Sequence, residues 1–165
     1  MYVRYLLVIL GFVKLFTIGY EGLTGETFFA LLQDHDIETI VDVRELPLSR
    51  KRGFSKSALA MAAMEHGISY QHLAPLGCPR PIRNRYRADG DWNFYTQQFL
   101  AYLEDQETTL DFLAGLAQEK TCCLLCFEAD ANFCHRLYVA QSVQKRSDLE
   151  IVHLTATTTA RLAFA

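Results

Sequence analysis

The sequence predicts an α/β fold: a single three-layer domain with a mostly parallel sheet of about five strands and helices on both faces. Three observations carry this. Five short runs rich in apolar and β-branched residues are separated by segments of helical spacing, and strands that alternate with helices need crossover connections, which make the sheet largely parallel. The run Thr121-Cys-Cys-Leu-Leu-Cys-Phe127 is apolar without alternation, as expected for a central strand covered on both faces. A chain of 165 residues, half of them hydrophobic, has the size and composition of one domain with a substantial core.

Val13 to Ile18 reads as the first strand, closed by Gly19-Tyr-Glu-Gly22, where two glycines permit a tight turn. Thr24 then caps a helix: Glu26 suits its positive end, and Phe28, Leu31 and Leu32 recur at helical spacing. Ile37 to Val43 is rich in β-branched residues and forms the second strand. The basic stretch Arg44 to Gly53 has no sustained period and is a loop. Ser55 caps a helix through about Glu65, with Gly67 as its stop. Ile68 to Leu73 alternates and makes the third strand.

Three prolines, two glycines and four arginines between Ala74 and Gly90 predict a long loop. Asp91 caps a helix whose core face carries Trp92, Tyr95, Phe99, Tyr102 and Leu103. A further helix, Thr108 to Gln118, leads into the central strand. A helix from Asn132 to Lys145 and a terminal strand, Ile151 to Leu154, complete the domain, which spans residues 14–155. Residues 156–165 read as an irregular tail.

Residues 1–13 read as an N-terminal extension. Arg4 and the apolar run from Tyr5 to Phe16 resemble the start of a signal peptide, but Lys14 interrupts the run well short of the roughly 20 residues that span a bilayer. No small-x-small cleavage site follows. The expectation is a cytoplasmic protein with no membrane partner. The five cysteines lack the spacing of a disulfide-stapled scaffold, so free thiols are expected.

Charge is unevenly spread. From Arg44 to Arg87 nine basic residues face two acidic ones, a net +7 that leaves −10 for the rest of a chain whose total is −3. Such asymmetry points to an anionic partner, nucleic acid among them.

Three unusual stretches each follow a predicted strand: Gly19 to Gly22, Arg44 to Lys56 and Glu128 to Arg136. Strand ends of a parallel sheet share one edge, where α/β proteins bind ligands. There Arg50, Lys51, Arg52 and Lys56 suit phosphate contacts, helped by the Ser49 and Ser55 hydroxyls, and Tyr20, Phe54 and Tyr86 offer rings to bases. Asp42 shares a strand face with Arg44 and suits either orienting it or acting as a base. Cys126 and Glu128, also two apart, share a face near the strand end. Cys134, His135 and Arg136 fall where a helix should begin, and a helix N-terminus lowers a thiol pKa or holds a phosphate. Neighbouring helical side chains diverge by about 100 degrees, which weakens a Cys134/His135 dyad. Cys123 and Cys126 resemble a metal-binding pair, but residues three apart on a strand point to opposite faces. No metal or cofactor is therefore expected.

Thr17-Ile-Gly-Tyr-Glu-Gly22, Asp42-Val-Arg44, Pro47-x-Ser49-Arg50, Gly53-Phe-Ser-Lys56, Leu76-Gly77, Cys126-x-Glu128 and Cys134-His-Arg136 together resemble the uncharacterised family called domain of unknown function 488, from about Leu15 to Leu154. The resemblance implies one cytoplasmic α/β domain with the same site residues, Tyr20 and Glu21 included, and brings no established activity. A more distant similarity links Cys126 and Arg136 to the anion-binding loops of rhodaneses and cysteine phosphatases, although the loop here is longer and poorer in glycine.

Three readings follow. One is a protein that binds or acts on a phosphate-bearing substrate such as nucleic acid, with Glu128 or Asp42 as acid/base and Arg44, Arg50, Arg52, Lys56 and Arg136 as anion contacts. A second is a thiol-dependent enzyme, transferring sulfur or cleaving a phosphoester through Cys134 or Cys126. The third is a non-catalytic binding or regulatory domain using the same crevice.

Overall fold

In the computed structural model, which describes residues 13–157, five strands form one sheet: β1 (Lys14–Gly19), β2 (Thr39–Asp42), β3 (Ser69–His72), β4 (Cys122–Cys126) and β5 (Glu150–Leu154). Their order is β3-β2-β4-β1-β5, and all four pairings are parallel. β4 comes fourth in the chain yet lies at the centre, which is why all five of its residues are buried. The expectations for residues 1–12 and 158–165 lie outside the described residues.

Six helices are described: α1 (Gly25–Asp34), α2 (Lys56–Glu65), α3 (Arg80–Asp89), α4 (Trp92–Glu104), α5 (Glu107–Glu119) and α6 (Arg136–Gln144). α1 and α2 cover one face of the sheet, where Phe28, Leu31, Leu32 and Leu59 meet Ile18, Ile40, Cys123 and Leu125. α4, α5 and α6 cover the other, where Phe99, Leu113, Val139 and Val143 meet Val41, Cys122 and Leu124. No described helix is long and apolar enough to cross a membrane.

This winding locates the site. The chain leaves β1 and β2 toward one face and leaves β4, which lies between them, toward the other. Connections that diverge to opposite faces open a crevice at the strand C-terminal ends. In this molecule it opens at the end of β4.

Local chemistry explains most of the elements. Thr24 Oγ1 accepts the Thr27 amide at 3.1 Å and Asp91 Oδ1 accepts the Phe94 amide at 2.9 Å, so both predicted caps form. Ser55 occupies a cap position without capping, because its hydroxyl accepts from Ser49 N and donates to Ser49 O in the basic loop.

Two segments correct the expectations. Residues 74–90 are not one long loop: a 3-10 turn (Ala74–Leu76) and α3 occupy most of them. α3 is rich in arginine and fully buries none of its residues; only Ile82 and Tyr86 pack, partly buried, against the core, too short an apolar pattern to read. Its signals are Pro81 in the first turn and Gly90 at φ +69° after the last. The final helix starts at Arg136 rather than Asn132. Asp130 instead caps a separate 3-10 turn (Ala131–Phe133), and Cys134 then runs extended at φ −137°, ψ 138°.

Candidate functional site

Two glycines allow the loops at the strand ends to close over one another. A Cβ on Gly19 would lie 1.7 Å from Glu128 O, and one on Gly77 would lie 2.1 Å from Glu45 N. Only glycine permits backbones to approach this closely. The β1 and β4 ends are thus clamped together, and the 3-10 turn is set against the start of the basic loop.

Further bonds fix the loop after β4. Glu21 N donates to Phe127 O at 2.8 Å, and Glu21 Oε2 accepts Ala129 N at 3.0 Å. Arg136, 0% exposed, lies behind the loop. Its Nε donates to Thr17 Oγ1 at 3.2 Å, Nη1 to Glu128 O at 2.5 Å and Nη2 to Ala129 O at 3.1 Å. The sequence placed Arg136 among the anion contacts and Glu21 among the substrate contacts. The structure uses both to brace the loop.

A second buried group supports the loop after β2. Arg44 Nε and Nη2 donate to Asp42 Oδ1 and Oδ2 at 2.8 and 2.5 Å, while Nη1 donates to Tyr20 Oη at 3.1 Å and to Phe54 O at 2.8 Å. Tyr70 Oη also donates to Asp42 Oδ2 at 2.5 Å. Burial on its own would discourage the Arg44 charge, but the bonds to Asp42 outweigh it and raise its pKa above the ordinary arginine value. Burial and Asp42 likewise push Tyr70 up. Tyr20 and Phe54 stack on each other at 4.4 Å, and both are buried. Asp42 and Tyr20 are thus both tied to Arg44, and Tyr20 and Arg44 also line the crevice.

Between these groups lies a crevice of about 590 Å³. Arg50, Lys51, Arg83 and Arg87 supply positive charge to its walls, and Tyr86, Trp92, Phe127 and Phe133 supply rings. Phe127 and Phe133 are 44% and 57% exposed, unusual for phenylalanine on a polar rim. Arg83 pairs with Glu45, yet its Nε is buried without a hydrogen-bond partner. Ser49 also lines the crevice, whereas Arg52 and Lys56 do not. Lys56 Nζ lies 3.4 Å from His72 Nδ1.

Cys126, Glu128 and His135 contribute to the lining, together with Cys78, whose thiol burial pushes up to about 11. Cys126 Sγ donates to Glu128 Oε2 at 3.1 Å and lies 3.7 Å from His135 Nδ1. His135 Nε2 donates to Val43 O at 2.7 Å. Donor atoms of Cys126, Cys134 and His135 all fall within 4.8 Å of one another. The dyad geometry therefore differs from the helical expectation: Cys134 is extended and His135 begins the helical turn, so adjacent side chains converge.

The charges in this group are coupled. Burial opposes ionisation of Cys134, but hydrogen bonds from Cys126 and His135 and the charge of Arg136 hold it well below the usual thiol range. Cys126, bonded to Cys134 and buried, moves up instead. Burial would lower His135, yet its contact with Cys134 raises it. Burial and the charge of Cys134 raise Glu128.

Sequence reasoning missed Phe127 and Phe133 as site residues and placed Trp92 and Tyr95 in the core alone. Trp92 and Tyr95 do pack there, stacked at 4.6 Å, but each also lines the crevice. The available signal was Phe133, an aromatic residue inside an otherwise polar and small turn.

Comparison with curated proteins and with solved structures finds no match to this chain. The model of the family described as "Domain of unknown function DUF488" matches residues 24–143, from the cap of α1 nearly to the end of α6, and the chain belongs to that family.

Proposed function

We propose that the protein is an enzyme acting on a single unpaired nucleotide of a nucleic acid, bound in the crevice with its neighbouring phosphates on the basic rim. The observation that carries this is the pairing of rings with cations around one opening: the exposed Phe127 and Phe133 and the partly buried Tyr86 and Trp92 beside Arg50, Lys51, Arg83 and Arg87. Base stacking with backbone neutralisation is how proteins hold single strands. A volume of about 590 Å³ suits a nucleotide-sized body, so a duplex would have to offer a flipped residue.

Glu128 is the acid/base of this proposal, because it lines the crevice and sits beside Cys126 and His135. A nucleophilic Cys134 has less support, being 1% exposed and set behind the lining residues. A non-catalytic domain has no need of a carboxylate set at the crevice wall beside two thiols and an imidazole.

The test is salt-titrated binding of fluorescent single- and double-stranded oligonucleotides. Single strands should bind more tightly. Phe133→Ala should weaken binding by about 1–3 kcal/mol, the value of one stacked base, with little effect on folding because the ring is exposed. Absence of binding at low salt would refute the proposal. Glu128→Gln should keep binding and lose turnover.

A further inference from the structure

We infer that Cys126, Cys134 and His135 bind one divalent ion of the zinc class, with the fourth coordination position turned toward Glu128 and the crevice. The inference concerns these three side chains and stands independently of the nucleotide reading.

The spacing fits. With Zn–S near 2.3 Å and Zn–N near 2.0–2.1 Å, tetrahedral angles place sulfur and nitrogen ligands about 3.6 Å apart. Cys126 Sγ and His135 Nδ1 are 3.7 Å apart, and the donor atoms of all three residues lie within 4.8 Å of one another. Two thiols and an imidazole form a soft donor set that selects zinc-like ions over magnesium or calcium.

The imidazole is also held as a metal ligand requires. Its Nε2–H is committed to Val43 O at 2.7 Å, which leaves Nδ1, on the side of Cys126, as the nitrogen that would bind an ion in place of a proton. Such an outer hydrogen bond to a backbone carbonyl is the usual support of a ligating histidine. The scaffold around it is rigid. Cys126 ends the central strand, and Cys134 and His135 follow a loop braced by Arg136 and Glu21. An ion has a route in, because Cys126 and His135 both line the crevice.

Three protein ligands make an open site of the catalytic type rather than a closed structural one. Glu128 Oε2, 3.1 Å from Cys126 Sγ, is placed to meet whatever occupies the fourth position. The pair Cys123 and Cys126, which the sequence suggested and strand geometry excluded, takes no part: Cys123 faces the α1 and α2 side.

The test uses the full chain, reduced and freed of metal with a chelator, then titrated with Co²⁺ under anaerobic conditions. The expected result is saturation at one Co²⁺ per chain, with thiolate-to-cobalt charge-transfer absorption and the visible bands of tetrahedral cobalt. Zn²⁺ should displace the cobalt and bleach the spectrum. Cys126→Ser and Cys134→Ser should each weaken binding by at least tenfold, whereas Cys78→Ser and Cys122→Ala should keep both spectrum and stoichiometry. Because the unsubstituted protein carries the primary readout, a variant that fails to fold does not remove the test. Octahedral cobalt bands, or no cobalt spectrum in the reduced unsubstituted protein, would overturn the inference. So would an unchanged spectrum in a folded Cys126→Ser/Cys134→Ser double variant.

Discussion

Replacing Arg136 with methionine should destabilise the protein by about 2–6 kcal/mol without weakening anion binding per folded molecule. The guanidinium is 0% exposed and donates to Thr17 Oγ1, Glu128 O and Ala129 O. No ion pair joins it to an acidic side chain among the described residues. Removing a buried charge recovers several kcal/mol of desolvation, which offsets much of the loss of three charge-assisted bonds. What remains is the cost of two orphaned loop carbonyls, roughly 1–3 kcal/mol each. Thr17 keeps a partner in His153 Nδ1 at 2.7 Å, and methionine fills most of the space, so the cavity contribution is small. Urea unfolding at constant pH measures the change, and oligonucleotide binding is followed in parallel. A loss under about 1 kcal/mol with an unchanged slope would refute the bracing role. So would a fall in affinity equal to that of Arg50→Ala, which would make Arg136 a ligand contact after all.

Three further outcomes follow from the same geometry. Gly77→Ala should cost about 2 kcal/mol or more, because its Cβ would meet Glu45 backbone atoms at 2.1 and 2.4 Å; a thermal melt within error of the parent would count against that clamp. Substituting Arg50 and Arg87 together by alanine should reduce the log–log salt slope for single strands by about 1.4, at roughly 0.7 per phosphate contact, and an unchanged slope would remove both from the interface. His153 is held below its ordinary pKa by burial first and then by the charge of Arg136. The unfolded chain therefore binds the extra proton more readily, so this contribution to stability is present above about pH 6.5 and is lost as pH falls through the lower folded value. A His153→Gln protein should unfold with a flatter acid limb, and identical pH profiles would contradict the assignment.

The fold was readable where hydrophobic burial dictates the residue. β4 announced its central place because a strand covered on both faces admits no polar position, and Cys122 to Cys126 has none. Asp91 and Thr24 announced helix starts through bonds that are local in sequence. α3 was hidden because it buries no residue fully: four of its ten residues are arginines, and its only core contacts are the partly buried Ile82 and Tyr86, helped by terminal signals and the Arg85–Asp89 pair. Strand order was also hidden. Nothing within Cys122–Cys126 specifies that β4 inserts between β1 and β2, which is a property of how all the crossovers pack together.

For the site, the convergence of three strand-end loops followed from topology alone, but the role of each charge did not. Arg44, Arg136, Arg50 and Arg83 count equally in a sum over the sequence. In the structure Arg136 is committed to loop carbonyls behind the crevice and Arg44, though at its wall, to Asp42, while Arg50 and Arg83 line the crevice nearer solvent. Burial makes this division: a guanidinium with 0% exposure must find its partners within the protein. The thiols misled for a related reason. Continuing the final helix back to Asn132 separates Cys134 from His135 by a helical step, whereas one extended residue at Cys134 turns both toward Cys126. The chemistry of the floor therefore depends on a single backbone conformation between a 3-10 turn and a helix. The Cys134 amide donates to Ala131 O within the 3-10 turn, and the loop leading into that turn is braced by Arg136 and Glu21, so two charges that do not line the crevice help to shape its floor.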